Sequence, residues 1–229
     1  MKVKICGNTT ERDIRLCADA GADALGFVVE YPVDVPWNLN VERAAALIEG
    51  VPEGVLSFMV TGGGPEQVVS RAEKVRPNAV QLHHEETLAE VADMAKRLKE
   101  LGISTVKALR IDDGGRLKFE IANMFEAAGE LEKTGVAAFL LDSFTPARPG
   151  GTGRPVGLET YLTLRKSTAL PVILAGGLKP GNLETLVPMD CPPCMLDVLS
   201  GVESSPGIKD ANKVAAFVKA ARSLKVVGQ

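Results

Sequence analysis

Short runs rich in Val, Ile, Leu and Ala alternate with stretches of 3.6-residue periodicity along the whole chain. The runs lie at 3–6, 24–29, 55–60, 79–82, 105–109, 137–141, 172–175 and 195–199, and each has the length of a strand. Helical patterns fill the spaces between them, at 10–20, 41–48, 66–75, 86–101, 157–167, 183–186 and 210–224. In the first, Ile14, Cys17 and Ala18 share a face, and Thr9 or Thr10 stands where a cap belongs. The segment 117–133 fits two short helices as well as one. Gly or Pro commonly ends a helix before the next strand, as at Gly21, Pro77, Gly102, Gly135 and Pro171. Glycine accepts a positive φ there, and proline cannot continue the hydrogen-bond ladder.

Eight strand–helix units in an unbroken series predict a (β/α)8 TIM barrel, with eight parallel strands inside and helices outside. Residues 1–229 then form a single barrel domain. A doubly wound open sheet is the alternative, because periodicity alone does not say whether the sheet closes.

Composition narrows the function. With 26 basic and 29 acidic side chains the net charge is −3, and 45% of residues are hydrophobic, enough for a substantial core. A membrane helix needs about 18 consecutive apolar residues, and the longest runs here, such as 136–141, are far shorter. No signal-like apolar segment follows Met1, so a cytoplasmic protein is expected. A pI near 5.6 and 4% aromatics argue against nucleic-acid binding. The four cysteines are expected to be reduced. Cys191 and Cys194 have C-x-x-C spacing, but no second metal-ligand pair follows and the motif precedes a strand, so two incidental loop cysteines are favoured over a redox or metal role.

A barrel carries its chemistry at the C-terminal ends of its strands. Those ends bear Cys6-Gly7-Asn8, His83-His84, Arg110, Asp142-Ser143, Gly176-Gly177 and Ser200-Gly201, while the opposite ends carry mostly small residues. Glycines in the last two loops suit a phosphate, because backbone N–H groups must approach the anion closely. Gly150-Gly151-Thr152-Gly153 is a third such loop, suited to covering a ligand. Cys6 and Asp142 end strands on opposite sides of the predicted mouth, a thiol and a carboxyl placed for paired proton transfer. An ordinary thiol is only about 3% ionised at pH 7, so Cys6 needs help from its neighbours. His83 and His84 are the only histidines and fall short of a metal site.

The motifs Lys4-Ile5-Cys6-Gly7-Asn8-Thr9, Gly21-Ala22-Asp23-Ala24-Leu25-Gly26-Phe27 and Val80-Gln81-Leu82-His83 occur in that order. They are followed by Leu140-Leu141-Asp142-Ser143, Leu174-Ala175-Gly176-Gly177-Leu178 and Ser200-Gly201-Val202-Glu203 with Pro206-Gly207-Ile208-Lys209-Asp210. Together they resemble the phosphoribosylanthranilate isomerases of tryptophan biosynthesis across the whole chain. The resemblance implies an Amadori rearrangement of a small phosphorylated substrate, without cofactor or metal; between a monomer and a homodimer the sequence does not decide, since surface patches are not read from it. It implies Asp142 as general acid and Cys6 as the thiolate base. Gly176, Gly177, Ser200 and Gly201 would hold the phosphate, with Gly151 in the covering loop and His83 shaping the pocket.

One stretch departs from the family. After the second strand its members usually carry an Arg for the anthranilate carboxylate, whereas this chain reads Tyr31-Pro32-Val33-Asp34-Val35-Pro36-Trp37-Asn38. Arg110 is the best remaining bidentate donor, and Trp37 is placed to stack on an aromatic ring. Leu199 stands where the family often has a small polar residue. An isomerase of another phosphorylated aminosugar, or an idle phosphate-binding barrel, are the competing readings.

Overall fold

The computed structural model describes residues 1–143, 156–188 and 190–224. Eight parallel strands make the ring: β1 (Lys2–Ile5), β2 (Ala24–Val29), β3 (Leu56–Thr61), β4 (Ala79–Leu82), β5 (Ser104–Ile111), β6 (Ala138–Ser143), β7 (Val172–Leu174) and β8 (Met195–Val198). Lys4 of β1 stands opposite Ala24 of β2 on one side and Asp197 of β8 on the other. The sheet therefore closes, which removes the open-sheet alternative.

Around the ring lie α1 (Glu11–Asp19), α2 (Val41–Glu49), α3 (Pro65–Val75), α4 (Leu88–Glu100), α5 (Met124–Lys133), α6 (Leu158–Ser167), α7 (Leu183–Leu186) and α8 (Ala211–Ser223). Local signals set their starts. Thr10 caps α1 and Thr87 caps α4, each in a reciprocal box with the acidic residue three positions on, Asp13 and Glu90. The helix expected over 86–101 begins only at Leu88 because Thr87 takes the cap, and Glu86 turns inward instead. Of the two readings for 117–133, the single helix α5 forms behind an Asn123 cap, while Leu117 makes an antiparallel bridge to Ile111.

Strand side chains alternate between two cores. Outward residues such as Phe27, Leu25 and Phe139 are fully buried against the helices, each contributing about 1.5–3 kcal/mol. Inward residues are smaller: Ala24, Ala79, Ala108, Ala138 and Leu140 fill the lower ring with Phe58 and Met195. Above that plug the inward positions become polar, with Lys4, Gln81, Arg110, Asp142 and Asp197. The lower barrel is a packed core and the upper end is a site.

Two short additions frame the mouth. A two-residue strand, Asn38–Leu39, runs beside β2, and an antiparallel pair, Glu203–Ser205 with Ile208–Lys209, follows β8.

Candidate active site

A cavity opens at the C-terminal end of the ring, where a barrel carries its chemistry. Its walls include Cys6, Trp37, His83, Asp142, Gly176, Gly177, Ser200 and Gly201. Eight of the ten sequence-predicted residues thus meet in one place. Arg110 occupies the inward position opposite Asp142 in the β5–β6 ladder but is covered and contributes nothing to the cavity wall. Gly151, with the rest of the 150–153 loop, lies outside the described residues.

Cys6 continues the β1 ladder, its N–H donating to the Val198 carbonyl at 2.8 Å. The alternation that sends Val3 and Ile5 outward sends Lys4 and Cys6 inward, one above the other. Burial pushes the Cys6 thiol above its ordinary value. The Lys4 ammonium pulls against this, Asp197 adds to it, and Lys209 pulls against it from farther along the chain.

Asp142 projects inward from β6. Its Oδ1 accepts the Ser143 N–H at 2.8 Å, and its Oδ2 lies 3.4 Å from His83 Nε2. The Gln81 amide nitrogen lies 2.9 Å from His83 Nδ1. With that amide donating, the neutral ring carries its proton on Nε2, facing Asp142. Gln81 and His83 share a face because they are two residues apart on the β4 line. The other amide atom, Gln81 Oε1, is buried without a hydrogen-bond partner among the described residues.

Trp37 forms part of the wall that follows β2. Its indole N–H donates to Glu203 Oε1 at 2.7 Å, and Glu203 is held by Lys209 at 2.9 Å. Tyr31 stands beside it, with its hydroxyl donating to the His83 carbonyl at 2.7 Å. Burial pushes the Tyr31 phenol up to about 12, so it stays a neutral donor.

The two glycine loops interlock at the far side. Gly176 has φ +83°, a conformation L side chains rarely adopt. A Cβ on Gly201 would sit 1.9 Å from the Leu178 carbonyl oxygen, so only glycine lets the loops touch. Ser200 and Gly201 open a short 3-10 turn, Ser200–Val202.

Sequence reasoning gave no role to Lys4, Gln81, Tyr31 or Asp197. The signal for the two charges was present: Lys4 lies two residues before Cys6, and Asp197 interrupts the apolar β8. Cys191 and Cys194 are free and directly precede β8, at the end of the ring opposite the cavity. No group of three or more metal-ligating side chains occurs among the described residues, and none of the described helices is long and apolar enough to cross a membrane.

Comparison with known proteins agrees with this geometry. The profile of the N-(5′-phosphoribosyl)anthranilate (PRA) isomerase family matches residues 3–220. The chain is similar to N-(5′-phosphoribosyl)anthranilate isomerase of Methanosarcina acetivorans, with 37% identity over 225 residues covering 96% of this chain and 93% of the relative. It is similar in structure to phosphoribosyl anthranilate isomerase from Thermus thermophilus, with a TM-score of 0.79 and 31% identity over 98% of this chain and all of that one. It is also similar to a phosphoribosyl anthranilate isomerase solved in complex with reduced 1-(o-carboxyphenylamino)-1-deoxyribulose 5-phosphate, with a TM-score of 0.74 and 30% identity over 98% of this chain and all of that one.

Proposed function

The chain belongs to the N-(5′-phosphoribosyl)anthranilate isomerase family, and from that premise we propose how its own residues isomerise N-(5′-phosphoribosyl)anthranilate. The product is 1-(2-carboxyphenylamino)-1-deoxyribulose 5-phosphate. Supporting this reading is one arrangement: a thiol and a carboxyl from strands three apart around the ring, on one cavity whose far wall is two glycine loops.

Asp142 donates its proton to the furanose ring oxygen while the nitrogen lone pair expels that oxygen from C1. The ring opens to an iminium ion. Cys6, as thiolate, then takes the proton from C2, and the released electron pair neutralises the iminium as an enolamine. Tautomerisation adds a proton at C1 and removes one from the C2 hydroxyl, so acid and base return to their starting states. C2 rises from alcohol to ketone and C1 falls to a methylene, which makes the reaction an intramolecular oxidoreduction. The balance needs one acid and one base, each worth about 10²–10⁴ in rate.

Gly176, Gly177, Ser200 and Gly201 receive the phosphate on backbone N–H groups. His83, oriented by Gln81, holds Asp142 in place. Trp37 presents its ring to the aromatic half. For the carboxylate we assign Arg110, which lies covered beside the cavity with its Nη2 3.9 Å from the exposed Glu85 Oε1, so Glu85 must swing away before a substrate carboxylate takes its place. We read residues 1–229 as one barrel domain acting in the cytoplasm, the compartment that keeps Cys6 reduced.

The fluorescence of the anthranilate adduct supplies the test. Purified protein should convert it, and Cys6→Ala and Asp142→Asn should each slow conversion by about 10²-fold or more. Full activity in both variants overturns the assignment. Arg110→Met should raise KM with the larger part of kcat retained.

A further inference from the structure

Behind the cavity wall formed by Cys6 and Asp197 lies a charged group that the acid–base scheme leaves idle. Lys4 is completely buried, and its Nζ lies 3.0 Å from Asp197 Oδ1 and 5.4 Å from the centre of the Phe58 ring. Gly26, on the neighbouring strand, marks where this ammonium stands relative to the base. A Cβ at Gly26 would fall 2.7 Å from Cys6 Sγ and 3.1 Å from Lys4 Nζ, so sulfur and ammonium flank one empty point, at most about 6 Å apart. Opposite charges at such a separation favour the charged form of each. We propose that Lys4 is a positioning residue whose ammonium, moored on Asp197, serves as counter-ion to the Cys6 thiolate. The inference rests on reading Cys6 as the base.

The neighbourhood supports this division of labour. A lysine sealed in a barrel with no anion would shed its proton. Burial alone does lower the Lys4 pKa, yet Asp197 first and the Cys6 sulfur second more than offset that and hold it above the ordinary lysine value. Burial pushes the Asp197 carboxyl up, and Lys4 opposes the shift. The charged groups facing Cys6 are Lys4 on its own strand, Asp197 on β8 and Lys209 beyond it; Asp142 and His83 act in turn on Asp197. Of these, Lys4 is the cation that shares the inner face of β1 with the sulfur. Asp197 has two effects: it keeps Lys4 protonated, and it draws part of that charge away from the sulfur.

Iodoacetamide alkylation, followed peptide by peptide by mass spectrometry across a pH series, reads the Cys6 thiolate without any catalysis. Cys17, Cys191 and Cys194 are internal controls in the same digest. In Lys4→Met, alkylation of Cys6 at pH 7.5 should slow by about tenfold or more, and the basic limb of kcat/KM should move to higher pH. Lys4→Arg should restore most of the alkylation rate. Asp197→Asn should displace the curve toward lower pH, because the ammonium is released toward the sulfur. Folded Lys4→Met protein with an unchanged Cys6 curve overturns the proposal. If Lys4→Met does not fold, an unmoved curve in Asp197→Asn overturns it equally. Full activity in Cys6→Ala would remove the base role itself, and the alkylation curves would still decide whether Lys4 governs the thiol.

Discussion

Of the three lysines buried among the described residues, Lys4, Lys107 and Lys209, each is on a strand and paired with a carboxylate, and the two on the ring, Lys4 and Lys107, behave differently because of what lies beside them. Lys107 projects outward from β5 and meets Glu86 in the layer between ring and helices, where its ammonium also donates to the His84 carbonyl at 3.3 Å and lies over the Phe119 ring. Both members are almost wholly sealed there. Lys4 projects inward from β1 and meets Asp197 on the floor of the open cavity, next to a thiol. Burial lowers the Lys107 pKa and Glu86 only partly restores it, whereas Lys4 is held above its ordinary value. The outer pair saturates itself. The inner pair has charge left over for a third group.

This contrast is open to direct attack, and the largest effect belongs to the outer pair. Lys107→Met leaves the Glu86 carboxylate buried without its counter-ion and should destabilise the fold by about 3–5 kcal/mol in urea unfolding. The activity of the molecules that remain folded should hold. An unchanged midpoint would mean the outer pair is not sealed as described. Joining Glu86→Leu to Lys107→Met should recover most of the loss, since a well-packed apolar pair often matches a buried ion pair.

Gly26→Ala probes the inner pair with a single methyl group. It forces Cys6 Sγ, the Cys6 backbone and Lys4 Nζ to give way, at about 1–3 kcal/mol of stability. The loss of kcat should be out of proportion to that change, with substrate binding little altered. Equal small losses in both would say that the thiol and ammonium need no fixed spacing.

The smallest effect is acid sensitivity. Burial pushes the Glu86 carboxyl up, but Lys107 and two backbone N–H groups more than offset it and hold the group below the ordinary carboxylate range. The unfolded chain, with a pKa near about 4.3, therefore takes up the proton first. Stability contributed at neutral pH should fade as pH drops from there toward the folded value. In the Glu86→Leu/Lys107→Met double variant that decline should be shallower in acid titrations of the unfolding midpoint.

Most of the architecture was legible because strand and helix periods differ so plainly here. The eight strands appear within two residues of their expected ends, and the strand-end positions of Cys6 and Asp142 place both in the cavity. The polar half of the site was harder to see for a definite reason. Lys2-Val3-Lys4-Ile5 alternates like a strand with one wet face. Only closure of the ring turns that face into an interior and makes Lys4 a buried charge. Glu86 escaped notice likewise, because helical periodicity runs through it and the Thr87 cap decides the boundary. The paired segment Glu203–Ser205 and Ile208–Lys209 is too short to register as strand. Nothing in Trp37 alone announces Glu203, 166 positions away, as the partner of its indole.

The contact between Gly201 and the Leu178 carbonyl reaches beyond this one protein's chemistry. Two segments that meet backbone to backbone, with no side chain between them to adjust, inherit each other's shape. A designer moving this anion cradle to another scaffold would have to carry both as one cassette, and natural variants that lengthen one segment should show a matching change in the other.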